Sequence, residues 1–69
     1  MKEKRYKKAL LRERLAKTMG QEVTAMEFSR WLRYYCEKKG LSEEILQAKE
    51  IPESVVCGFG EWLGYEIRG

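Results

Sequence analysis

The chain contains no histidine, no aspartate and no asparagine. Without His or Asp, the hydroxyls of Ser29, Ser42 and Ser54 lack the partners that activate a nucleophile. The two cysteines, Cys36 and Cys57, fall short of a four-ligand metal site for the same reason. Gly58-x-Gly60 follows no expected strand, so it does not read as a phosphate-cradling loop. Enzymatic activity, a bound metal, a cofactor and a small-molecule substrate are therefore not expected.

Long apolar runs are also missing. No segment has membrane-spanning length, and no run of signal-peptide length follows the basic N-terminus, so the expected location is cytoplasmic. Cysteine usage agrees with that location. Cys36 borders the apolar face of its helix while Cys57 is expected to point away from the apolar face of its own. Two reduced thiols are expected rather than a disulfide.

What is present is enough apolar material for one small core. Hydrophobic residues make up 43% of the 69 and charged residues 36%. A single domain over 1–69 lies near the lower size at which one core sustains a fold, which leaves room for a protein partner or a homodimer. The charge is unevenly spread. Residues 1–17 hold eight Lys or Arg against Glu3 and Glu13, a balance of +6, whereas residues 18–69 hold six against nine Glu, a balance of −3. A basic arm on a mildly acidic body points to an anionic partner.

The best-specified stretch runs from Val23 to Leu41. Thr24 and Glu27 have capping-box spacing, and Val23 and Phe28 stand at the staple positions on either side. Ala25, Phe28, Trp31, Leu32, Tyr35 and Cys36 recur at three and four residues and share one helical face. Arg30, Arg33, Tyr34, Glu37 and Lys38 fall on the other face. Gly40 supplies a left-handed stop with Leu41 folding back on Cys36.

The remaining elements are read in the same way. Residues 3–19 predict a first helix with a narrow stripe of Leu11, Leu15, Thr18 and Met19, stopped at Gly20. Residues 1–7, poor in apolar side chains, are expected as a flexible basic arm. Ser42 as N-cap, with Glu43 and Glu44 in the first turn, predicts a third helix over 43–50 that ends before Pro52. Residues 53–63 carry Val55, Val56, Phe59, Trp62 and Leu63 on one sector, which favours a helix. A hairpin turning at Gly60-Glu61 is the rival. In the helical reading, Gly58 and Gly60 flank the apolar sector and admit a close neighbour, and Gly64 leads into a short extended tail. The fold class is thus all-α, a small bundle of three to four helices over 3–19, 25–39, 43–50 and 53–63.

For function, the basic N-terminal helix and the outer face of the central helix are the candidate surface. Lys4, Arg5, Lys7, Lys8, Arg12, Arg14, Lys17, Arg30 and Arg33 suit phosphate contact, with Tyr34, and Tyr6 on the arm, available for stacking. A helix-turn-helix over 43–50 and 53–63 is disfavoured: no Lys or Arg lies between Lys49 and Arg68 to hold phosphates beside the would-be recognition helix. Trp31 and Trp62 are expected in the core. The leading reading is a small regulatory protein that contacts nucleic acid, of a size that suits accessory proteins of phages or plasmids. The alternative is a protein–protein adaptor or inhibitor without nucleic-acid affinity. No membrane partner is expected, because the first helix has a narrow apolar stripe with no aromatic residue in it.

Overall fold

Thr24 starts the longest helix as its spacing requires. In the computed structural model, which describes residues 3–68, its hydroxyl accepts from the Glu27 amide at 3.1 Å and Glu27 Oε1 accepts from the Thr24 amide at 3.4 Å. Val23 and Phe28, the staple pair, are 1% and 2% exposed. The helix runs Ala25–Lys39 and ends at Gly40 in the left-handed region, with Leu41 N–H donating to the Cys36 carbonyl at 2.9 Å. Gly20 and Gly64 end the helices Lys8–Met19 and Glu53–Leu63 in the same left-handed conformation. Only a residue without Cβ adopts it at little cost.

The elements in chain order are β1 (Arg5–Lys7), α1 (Lys8–Met19), α2 (Ala25–Lys39), α3 (Glu44–Gln47), β2 (Glu50–Pro52) and α4 (Glu53–Leu63). The molecule is a small helical bundle to which a two-stranded ribbon has been added. Two expectations need correction. Residues 3–7 are not the first turns of a helix or a loose arm, because Arg5–Lys7 forms a strand antiparallel to β2, with Tyr6 opposite Ile51. Residues 1 and 2 of the expected arm lie outside the described residues. The third helix is a single turn rather than 43–50, and Ala48 is already extended. Ser42 still acts at its start, accepting from the Glu44 amide at 3.2 Å.

Burial explains both departures. Tyr6 and Ile51 are 7% and 0% exposed, so the ribbon turns one apolar pair inward while Arg5, Lys7 and Glu50 face solvent. Pro52 holds Ile51 away from helical backbone angles and thereby prepares β2. The ribbon also caps both helices that follow its strands. Lys8 N–H donates to the Lys49 carbonyl at 2.9 Å and Glu53 N–H to the Lys4 carbonyl at 2.8 Å. Glu3 Oε1 accepts from the Ser54 amide at 2.7 Å, and Tyr6 O–H donates to Glu53 Oε2 at 3.0 Å. Amides at a helix start have no partner within the helix, so the bonds from the Lys8, Glu53 and Ser54 amides satisfy donors that would otherwise be left open.

The core joins Leu11 and Leu15 of α1, Phe28, Leu32, Tyr35 and Cys36 of α2, and Val55, Val56 and Phe59 of α4. Phe28 meets Phe59 edge to face at 5.6 Å between centroids. Residues 53–63 are helical, not a hairpin, and the two glycines serve different neighbours. A Cβ on Gly58 would lie 2.0 Å from the Tyr35 hydroxyl oxygen, so Gly58 lets α2 approach. A Cβ on Gly60 would meet the Tyr65 carbonyl at 2.8 Å, so Gly60 admits the C-terminal tail, which docks Ile67 in the core. Trp31 is half-buried against the core, but Trp62 is 37% exposed at its edge. Trp62 still packs there, its ring 6.1 Å from that of Phe59 and nearly parallel to it. Thr18 is exposed and Met19 half-buried, so the α1 stripe narrows to Leu11 and Leu15.

Candidate nucleic-acid interface

The ribbon changes where the basic residues go. In a strand, successive side chains alternate between faces, so burying Tyr6 sends Arg5 and Lys7 outward together. Lys8 and Arg12 lie one turn apart on α1 and share a face. Both stand beside a recess of about 840 Å³ whose cationic lining is Arg5, Lys7, Lys8, Arg12 and Lys49. Its apolar lining comes from Ala9, Ala25, Phe28, Leu46 and Ala48. Three of those five are alanines, and their short side chains leave the hollow open.

Two of the cations also hold the walls together. Lys8 Nζ donates to the Leu46 carbonyl at 2.8 Å, tying α1 to α3. Arg12 Nη1 donates to the Val23 carbonyl at 3.0 Å, tying α1 to the segment before α2. Lys8 retains two further ammonium protons and Arg12 four further N–H donors for a ligand. Burial lowers the Lys8 pKa from its ordinary value, against an opposing effect of Cys36. Arg5, Lys7 and Lys49 are exposed at the rim.

A second, smaller hollow on α2 is lined by Met26, Ser29, Arg30, Arg33 and Tyr34. Ser29 lines both hollows, so the basic surface continues from the recess across α2 to the exposed Tyr34 ring. Of the sequence-derived residues, Arg5, Lys7, Lys8 and Arg12 thus come together in one hollow, and Arg30, Arg33 and Tyr34 adjoin it. Three do not belong there. Lys4 Nζ sits over the Tyr6 ring, 5.2 Å from its centroid, on the face opposite Arg5 and Lys7. Arg14 turns to the C-terminal tail and donates to the Arg68 carbonyl. Lys17 is exposed on the side of α1 away from Lys8. Tyr6 is also removed as a stacking residue, since its ring is buried and its hydroxyl is bound to Glu53.

Lys49 is the residue that sequence reasoning missed. The signal present was Ile51-Pro52, which marks extended backbone. What it lacked was the pairing with Tyr6, far away in the chain, that brings Lys49 beside Lys8. The helix-turn-helix arrangement does not form, because β2 separates the single turn α3 from α4.

Both thiols are free, Cys36 buried and Cys57 half-buried with its Sγ 3.2 Å from Arg68 Nη1. Among the described residues no group of three or more His, Cys, Asp or Glu is placed to hold a metal ion, and no helix is long and apolar enough to cross a membrane. No family model, no curated protein and no solved structure matches the chain.

Proposed function

We propose that the protein binds nucleic acid, with Arg5, Lys7, Lys8, Arg12 and Lys49 neutralising backbone phosphates along the groove between the ribbon, α1 and α2. The carrying observation is that cations from two separate stretches of sequence, residues 5–12 and Lys49, converge on one hollow. Surface lysines that serve only solubility have no reason to gather in this way. Arg30 and Arg33 extend the same field across Ser29, which lengthens the path for a polyanion.

The test is the salt dependence of binding. Each phosphate neutralised contributes about 0.9 to the log–log slope for duplex and about 0.7 for a single strand. The triple variant Arg5→Gln, Lys7→Gln, Lys49→Gln is expected to lower that slope by about two to three units, equally for all sequences. All three side chains are exposed, so the fold should be retained. Absence of any salt-sensitive affinity for DNA or RNA at low ionic strength would overturn the proposal. The protein-adaptor reading draws support from Met26 and Tyr34, which are 72% and 52% exposed on the outer face of α2. It gains ground only if that salt-sensitive binding is absent.

A further inference from the structure

We infer that the nucleic acid taken by this groove is single-stranded, with one base seated in the recess and another stacked on Tyr34. The inference rests on the nucleic-acid reading above and narrows its ligand. The exposed lining of the groove is mainly cationic, with Glu50 its one carboxylate, but its floor is apolar: Phe28 is buried there and Leu46 and Ala48 half-buried, with Ala9 and Ala25 exposed at the edge. A ligand matched to the site must therefore offer phosphates at the rim and a flat, largely apolar body at the floor. A duplex offers only the first. Its bases lie at the bottom of grooves, where a protruding helix or ribbon reads them, and a concave surface does not enter. Laid across the rim, a duplex would meet Arg5, Lys7 and Lys49 and leave the floor unfilled. A single strand offers both, because its unstacked bases turn outward from the backbone.

The second hollow supports the same ligand. The Tyr34 ring is 52% exposed and shares one lining with Arg30 and Arg33. An exposed aromatic ring beside guanidinium groups is the usual platform for an unpaired base, and stacking of this kind tolerates any sequence. Since Ser29 borders both hollows, one short strand can use the recess and the ring together.

The experiment is fluorescence anisotropy with labelled oligothymidylate and oligouridylate of about 12 nucleotides, beside a mixed-sequence duplex of equal length. A single strand is expected to bind at least about tenfold more tightly than the duplex at matched salt. Ala25→Leu fills the recess from an exposed position in the first turn of α2. It should weaken single-strand binding about tenfold and leave duplex binding unchanged. Tyr34→Leu should weaken it about fivefold or more without altering the salt slope, since the phosphate contacts remain. An unchanged melting temperature and helical circular dichroism in both variants separate these effects from unfolding. Equal or tighter binding of the duplex overturns the inference while leaving the groove as a nucleic-acid site. A single-strand preference that neither variant alters also overturns it, because the bases would then lie elsewhere. If neither nucleic acid binds, the inference and the reading beneath it fall together. The same follows if a glutamate-rich amphipathic peptide binds in preference to both.

Discussion

A methyl group at Gly58 would stand 2.0 Å from the Tyr35 hydroxyl oxygen and 3.2 Å from Cζ of the same ring. Tyr35 cannot simply swing aside, because its ring is 6% exposed and packs against both Phe59 and Trp62. Gly58→Ala should therefore destabilise the protein by about 1–3 kcal/mol through overpacking, despite gaining about 1 kcal/mol in intrinsic helix preference. Tyr35→Phe removes the nearest atom and should recover part of that loss, read as coupling in a double-mutant cycle of urea melts. A second residue-level prediction concerns alkaline pH. Burial raises the Cys36 thiol above its ordinary value of 9.0, with Lys8 opposing. Burial also raises Tyr35 above 10.0, helped by Cys36 and Glu61. The folded chain then holds more protons than the unfolded one above these ordinary values, so stability is complete below about pH 9 and falls as the pH rises beyond it. Lys8 has the opposite sign: burial lowers its pKa, so losing its proton below 10.5 relieves a cost of folding. Of the two raised groups, Cys36 has the lower ordinary value and acts before Tyr35 as the pH rises. Cys36→Ala should flatten the first part of the decline in Tm against pH, and an unchanged curve would show that the thiol is not desolvated.

At the scale of elements, local signals decided what could be read. The capping box, the staple and Gly40 all lie within or beside α2, so its start, face and stop were visible in the chain. The α4 helix was legible too, because the sector of Val55, Val56 and Phe59 outweighs two glycines whose use is to admit Tyr35 and the tail. The ribbon was not legible. Three residues per strand are too few to show alternation, and Tyr6 finds Ile51 only through tertiary pairing. The helical pattern that follows Arg5–Lys7 also ran on backwards through them without any contrary signal. The same pairing truncated α3 by drawing residues beyond Gln47 into extended backbone. Hydrogen exchange tests this directly. The Glu53 and Lys8 amides, bound to the Lys4 and Lys49 carbonyls, should be protected towards the global unfolding limit. If residues 3–7 frayed, the Glu53 and Ser54 amides would exchange like those of an open helix start.

For the molecule as a whole, the question is whether net positive charge or its arrangement governs binding. The sequence located the excess in residues 1–17 but did not divide it, because it gave no sign that residues 5–7 leave the helix. The ribbon makes that division. Arg5 and Lys7 turn to the groove with Lys8, Arg12 and Lys49, whereas Lys4, Arg14 and Lys17 point elsewhere. The variant Lys4→Gln, Arg14→Gln, Lys17→Gln lowers the formal net charge from +3 to zero, as neutralising Arg5, Lys7 and Lys49 also does. A long-range field would respond equally to both, since charges within about 10 Å of one another are only partly screened at 0.1 M salt. Phosphates seated in the groove would not. The off-groove variant should keep the log–log salt slope within about one unit of the parent, and the groove variant should lose about two to three. Melting temperatures must accompany the comparison, since losing the Arg14 bond to the Arg68 carbonyl should loosen the C-terminal tail slightly. Equal slopes in the two variants would mean that the basic segment acts as a diffuse charge, and the groove would then have no special part in binding.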